Sequence, residues 1–176
     1  MPKVILNVAA STDNFIADVN GGVDWLPGED SDPNDTCGMR SFKNDISVIV
    51  MGSTSYKQIL NFGEWAWPDK LTYVFTSQRD LVSDNEQVKF LHDNPVRCIE
   101  IIRQSAKDKN IWLLGGAHLA HTFFSQKIID EIILTVIPTS LGNGIKLNIP
   151  YSDFDLVSEI PCAARTIQCK YLKKCL

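Results

Sequence analysis

The chain has 176 residues, a formal net charge of −4, 44% hydrophobic and 22% charged residues. That length predicts one domain spanning residues 1–176, able to bury about 70% of its unfolded surface without metals or staples. The acidic balance, with lysine and arginine scattered except for Lys170, Lys173 and Lys174, argues against a nucleic-acid partner.

No apolar run reaches the ~18 residues that a membrane span needs. Met1-Pro2-Lys3 leads straight into a strand without a signal-peptide core, so the protein is expected in the cytoplasm, with no membrane partner. The five cysteines are Cys37, Cys98, Cys162, Cys169 and Cys175. An odd count without a Cys-x-x-Cys pair predicts reduced thiols rather than a disulfide framework or a zinc site. His118 and His121 lack a nearby third ligand and read as a surface or packing pair, so no metal is expected.

Val4 to Ala10 is a near-continuous apolar run, as in a central strand covered on both faces. Ser11 to Ala17 follows, then Asp18-Val19-Asn20-Gly21-Gly22, a strong turn signal. Val23 to Pro27 and an acidic loop from Gly28 to Asp35 lead into a short helix, Thr36 to Asn44. Asp35 or Thr36 is its expected cap, with Met39 and Phe42 facing inward.

Ile46 to Met51 is a second buried strand that ends in Gly52 and opens a helix, Ser53 to Leu60. Its first turn carries Ser53, Thr54 and Ser55, suited to an anion or simply to capping the helix. Asn61 to Asp69 is a loop with two tryptophans, and Leu71 to Phe75 is a strand ending in Thr76-Ser77-Gln78-Arg79. Val88 to Leu91 is a short strand, and Asn94-Pro95 caps a helix running to about Lys107.

The stretch from Asn110 to Leu119 is the most informative: a buried strand, Gly115-Gly116, and a helix from Ala117 to Lys127. Such a junction turns backbone N–H groups and the positive end of the helix dipole outward, which suits a phosphate. It is equally a tight strand-to-helix turn.

Ile132 to Ile137 is a further strand, Pro138 to Pro150 a glycine-containing loop, and Phe154 to Ile160 and Thr166 to Leu172 close the chain as two strands. The alternation of strands and helices followed by bare strands predicts an α/β fold: a mostly parallel central sheet, helices on both faces, antiparallel C-terminal strands. Three strands end in small or hydroxyl residues, and in such sheets ligands bind beyond the C-terminal strand ends. The spacing matches neither a Rossmann glycine fingerprint nor a Walker loop.

Six short motifs in order carry a resemblance. They are Ala9 to Ala17, Val23-Asp24-Trp25-Leu26, Val50 to Tyr56, Phe75-Thr76-Ser77-Gln78, Leu114-Gly115-Gly116-Ala117 and Leu141-Gly142-Asn143-Gly144-Ile145. Together they resemble the dihydrofolate reductase superfamily over nearly the whole chain, closest to its branch related to the C-terminal reductase domain of the bifunctional riboflavin-biosynthesis protein.

The resemblance implies an NAD(P)H-dependent reductase that passes a hydride to a small heterocycle of pterin or aminopyrimidine type. The comparison activities are 5-amino-6-(5-phosphoribosylamino)uracil reductase and dihydrofolate reductase. Gly52, Ser53, Thr54, Ser55, Thr76, Ser77 and Gln78 would hold the adenosine end of NADPH, with Arg79 a further cation. Gly115, Gly116, Ala117, His118 and Leu119 would take the pyrophosphate, and Ala9, Ala10 and Ile16 would meet the nicotinamide. Ser53 stands where family members often carry an arginine, so NADH stays open.

Asp13 is the expected catalytic acid, or else a turn-forming residue, and Trp25, Leu26 and Phe42 would wall the substrate. No carboxylate falls clearly at the first helix, where dihydrofolate reductases carry theirs. A nucleotide-binding or regulatory module with the same fold and no turnover is the alternative. The C-terminal strands, with Ile167, Cys169 and Tyr171 on one face, predict a homodimer.

Overall fold

A computed structural model describes residues 1–28 and 31–174, so Cys175 and part of the acidic loop lie outside the described residues. Eight strands form one sheet in the order β5-β4-β3-β6-β1-β7-β10-β9. They are β1 (Val4–Ser11), β3 (Ile46–Gly52), β4 (Leu71–Phe75), β5 (Val88–Leu91), β6 (Asn110–Gly115), β7 (Glu131–Ile137), β9 (Phe154–Pro161) and β10 (Ile167–Lys173). From β5 to β7 every pairing is parallel, whereas β10 runs antiparallel to both β7 and β9. The dihydrofolate-reductase-like α/β architecture expected from the sequence is the one present.

Strand alternation divides the core. Val4, Leu6, Val48, Val50, Ile111, Leu113, Ile132 and Leu134 pack toward α3 (Pro95–Ala106) and α4 (Ala117–Ser125), meeting Ile99, Ile102, Leu119 and Phe123. Ile49, Met51, Val74 and Trp112 face the other way and pack with Tyr56 of α2 (Ser53–Asn61) and Phe42 of α1 (Met39–Asp45). Strands buried on both faces read as continuous apolar runs, which is why β1, β3 and β6 are so plain in the sequence. Asn94 caps α3 through its side chain, accepting from the Val96 N–H at 2.9 Å.

Four expectations need correction. The first helix begins at Met39, with Gly38 in the left-handed region (φ 67°) at its start, because Asp35 and Asp32 are used before it. The Asp35 carboxylate accepts from the Arg40 N–H, and Asp32 accepts from the N–H groups of Thr36 and Cys37.

Residues 138–150 are not wholly loop: β8 (Ile145–Lys146) pairs antiparallel with β2 (Phe15–Ala17). Two three-residue strands or less carry too little periodicity to read. Gly144 makes this pairing possible, since at its φ of +155° a Cβ would strike the Ala17 carbonyl oxygen.

Cys37 and Cys162 form a disulfide across 125 residues, while Cys98 and Cys169 are free and buried. Sequence spacing could not show that the segment before α1 crosses to the β9–β10 turn. Lastly, of the β10 face expected to pair with a second copy, Cys169 is buried in the core and Tyr171 stacks on Tyr151 at 4.8 Å, which leaves Ile167 alone of the three exposed. The exposed apolar side chains here are Leu156, Val157 and Ile160 on the edge strand β9, and Ile167.

Candidate active site

The turns after β3, β4 and β6 lie side by side, because these strands are neighbours in the order β4-β3-β6 and parallel. Gly52 is in register with Phe75, and Met51 with Gly115, so the three corners share one edge of the sheet. Two helices start there. Neither α2, after Gly52, nor α4, after Gly116, has a side chain capping its first turn, which leaves backbone N–H groups of both helices facing outward.

The corners are also close. A Cβ on Gly116 would lie 3.3 Å from the Ser55 hydroxyl, so the absence of a side chain is what lets the two helix starts approach. The Gly115–Gly116 peptide is cis. Gly52, Ser53, Thr54 and Ser55, then Thr76, Ser77, Gln78 and Arg79, and finally Gly115, Gly116, Ala117, His118 and Leu119 thus come from one edge. Leu119 turns into the core, whereas His118 and Arg79 are exposed.

Lys57 went unnoticed in the sequence, although it stands one helical turn after Ser53. Its ammonium donates to the Gln78 side chain at 2.7 Å, bringing a positive charge to the β4 corner. Gln58, beside it, donates to the Gly21 carbonyl at 2.7 Å and ties the Asp18–Gly22 turn to α2.

A second set of residues lies on β1 and β7. Ile5, Asn7 and Ala9 alternate onto the face opposite Val4, Leu6 and Ala10, and their register partners on β7 are Glu131, Ile133 and Thr135. Asn7 is 7% exposed. Its backbone carbonyl accepts from the Trp112 indole N–H at 3.1 Å, but its side-chain amide has no hydrogen-bond partner among the described residues. The signal was present in the sequence as the lone polar residue in Val4 to Ala10.

A cavity of about 460 Å³ runs beneath α1, walled by Ile5, Phe42 and Ile133, the last being the register partner of Asn7, with the charged side chains Lys3, Asp35, Asp45, Glu131 and Lys170 also on its lining. The buried Glu131 carboxylate joins Lys170 at 2.7 Å and Lys3 at 3.4 Å. Phe42 meets Trp112 edge to face at 5.4 Å between centroids. Trp25 and Leu26 lie in the turn that Leu26 closes on Val23, and neither belongs to a core cluster. The Trp25 indole N–H is enclosed and unpartnered among the described residues.

Asp13 is fully engaged. The Ser11 hydroxyl donates to it at 2.7 Å, Ser140 at 2.9 Å, and the N–H groups of Leu141 and Gly142 at 3.1 and 2.7 Å. These bonds, that from Ser11 first, hold its carboxyl far below the ordinary 3.8. Asp13 therefore joins the loop after β1 to the loop after β7 as an ion. Among the described residues no group of histidine, cysteine and acidic side chains could hold a metal, and no helix is long and apolar enough to cross a membrane.

The profile of the RibD C-terminal domain matches residues 2–156. The chain belongs to that family. A Bacillus subtilis (strain 168) relative, the uncharacterized protein YwjB, is 34% identical over 146 residues, 82% of each chain. A candidate riboflavin-biosynthesis protein from Shewanella sp. PV-4 has the same fold, with a TM-score of 0.82, 24% identity and coverage of 98% of this chain and 99% of that one. Dihydrofolate reductase from Enterococcus faecalis, solved in complex with NADP(H) and RAB-propyl, shares it too, with a TM-score of 0.69, 17% identity and coverage of 98% of this chain and 96% of that one. At that identity the dihydrofolate reductase shares the fold, and the NADP(H) is a ligand of that protein.

Proposed function

We propose that this chain is an NADPH-dependent reductase acting on a small, neutral heterocycle of pterin or aminopyrimidine type. The observation that carries the proposal is the adjacency of the corners after Met51, Phe75 and Leu114, with two uncapped helix starts between them. A dinucleotide fits such an edge: Gly115 to Leu119 hold the pyrophosphate against the α4 start, and Gly52 to Ser55 with Thr76 to Arg79 hold the adenosine end. Lys57 takes the part of the arginine that Ser53 replaces, as the charge for a 2′-phosphate, which favours NADPH over NADH. Ala9, Ala10 and Ile16 flank the nicotinamide. When bound, NADPH supplies the hydride.

On the substrate side Asn7 replaces a carboxylate as the polar group of the cleft. An amide offers one donor and one acceptor side by side, which matches the N–H and C=O of a lactam ring and asks no charge of it. Phe42, Trp25 and Leu26 cover the ring faces, Thr135 stands next to Ala9 in register, and the cavity under α1 takes the ring's substituent. Asp13 positions the two loops and gives up no proton, so solvent supplies the proton that balances the hydride. The protein works in the cytoplasm as a homodimer paired through the exposed edge of β9, and a monomer near 20 kDa in sedimentation would refute that pairing.

Nicotinamide fluorescence on titration with NADPH tests the cofactor assignment: binding in the micromolar range is expected, and no binding at millimolar NADPH refutes it. One observation favours a second reading, a nucleotide-binding module without turnover: the Asp13 and Asp32 carboxylates are both spent on loop groups. NADPH binding without oxidation across pterins, pyrimidinones and quinones would decide for it.

A further inference from the structure

We propose that the Cys37–Cys162 bridge is a thiol-sensitive latch on the roof of the substrate cavity, a regulation that rests on the reductase reading of that cleft. The roof is α1, and it is poorly anchored by packing: none of its seven residues is buried. Phe42 against Trp112 is its aromatic contact with the sheet. Its C-terminal end runs directly into β3, so that end is fixed by the chain.

The leading end is fixed differently. Every tie described between residues 36–37 and the β9–β10 turn is polar or covalent. The Ala163 N–H donates to the Thr36 hydroxyl at 2.7 Å, the Thr166 hydroxyl lies 3.9 Å from the Cys37 sulfur, and from β10 the Gln168 amide donates to the Cys37 carbonyl at 3.0 Å. The disulfide is the covalent member of this set. Cys37 also lines the cavity itself, together with Gly38, Ser41 and Phe42 of the roof and Ile160 and Gln168 of the hairpin. One covalent bond therefore spans the mouth between the roof and the wall.

Access favours this bridge over the other thiols. Cys37 and Cys162 are half-buried, within reach of a small thiol, whereas Cys98 and Cys169 are buried and burial pushes their thiols up in pKa. A low-molecular-weight thiol is the co-reactant. Its thiolate attacks one sulfur of the bridge, forming a mixed disulfide and releasing the other cysteine as a thiolate that takes up a proton. A second thiol then displaces the first, leaving two protein thiols and one oxidised small disulfide. In a reducing compartment a bridge of this kind is transient and sensing rather than structural.

Opened, the roof is left with these hydrogen bonds and the Phe42 contact alone, too little to hold its leading end closed, and α1 frays from the cavity more often. The NADPH corners belong to β3, β4, β6, α2 and α4, so they stay as they are. Hydrogen exchange read by mass spectrometry on the whole chain tests this, in air-oxidised protein and in protein treated with dithiothreitol, with NADPH titrated in both states. Exchange across residues 36–45 should rise at least tenfold on reduction while α3 is unchanged, and NADPH affinity should move by less than twofold.

The C37S/C162S double variant should show the fast exchange in both conditions. Equal exchange of residues 36–45 in the two states, or a non-reduced digest without a Cys37–Cys162 linked peptide, overturns the latch. Absence of NADPH binding in both states would instead overturn the reductase reading, leaving the exchange result to judge the latch alone.

Discussion

Replacing Asn7 by leucine should make the protein more stable and less active at once. The two side chains are similar in size, and the amide that is lost has no partner among the described residues. Keeping a buried amide without a hydrogen bond costs about 1–3 kcal/mol. The side-chain atoms of Asn7 are absent from the fully enclosed unpartnered atoms, so some water reaches them and the lower end applies, about 1 kcal/mol. For a chain of this size that corresponds to a rise in Tm of about 2–4 °C.

The backbone bond from the Trp112 indole is untouched by the change. Substrate recognition should suffer in the opposite sense. Two neutral hydrogen bonds to the ring are worth roughly 1–3 kcal/mol together, a loss in kcat/KM of roughly 5- to 150-fold, while NADPH affinity stays within about twofold. Calorimetry and steady-state kinetics on the best heterocycle of the panel read both quantities. A fall in Tm would show that the amide supports the fold, and an unchanged kcat/KM would show that it does not meet the substrate. Either result refutes the assignment.

Gly116→Val should weaken NADPH binding at least tenfold with little change in Tm, because the side chain enters the gap to the Ser55 hydroxyl, and fluorescence titration reads it. Lys57→Met should narrow the preference for NADPH over NADH by roughly tenfold, as expected for one charge-assisted phosphate contact; an unchanged ratio of the two Kd values would remove Lys57 from the site. Gly144→Ala should cost about 1–3 kcal/mol, from its positive φ and the collision with the Ala17 carbonyl, measured by urea unfolding. Because Asp13 is held below 3.8, its clamp contributes fully above that pH and is lost only as pH falls further, when the unfolded chain takes up the proton first. Asp13→Asn should therefore leave no missing limb in the pH–rate profile between pH 5 and 8; loss of an acid limb there would restore Asp13 as the proton donor.

What could be read from the sequence depended on whether the structural cause was local. The strands β4 and β5 match their predicted limits because turn residues bracket short apolar runs. The corners after β3 and β6 were legible for the same reason: each is a strand, a glycine and a helix start in one contiguous stretch. Asn7 was visible but outvoted by the apolar residues around it. The Lys57 contact was hidden because its partner, Gln78, is 21 residues away in the loop after β4. The disulfide and the β2–β8 pair were illegible, since each joins segments more than a hundred residues apart through a crossing that no periodicity records.

Polar groups in this chain divide by whether the fold has already used them. Asp13 holds two loops together and Asp32 builds the approach to α1, each accepting several donors, whereas among the described residues the Asp35 carboxylate accepts the Arg40 N–H alone and lines the cavity under α1. The uncapped helix starts after Gly52 and Gly116, the Asn7 amide and the Trp25 indole N–H are in the opposite condition, shielded or directed outward without a protein partner. Buried polar groups are satisfied in folded proteins almost without exception, so those left over mark where another molecule completes the structure. The enclosed Arg103 Nε on α3 and the Tyr151 hydroxyl before β9 lie elsewhere, whereas the ones the proposed reductase would use are the donors at the β4-β3-β6 edge and, separately, the Asn7 amide on β1. That separation is what a reaction between a dinucleotide and a neutral ring requires: anion-binding backbone for one, and an uncharged, two-sided hydrogen-bonding group for the other.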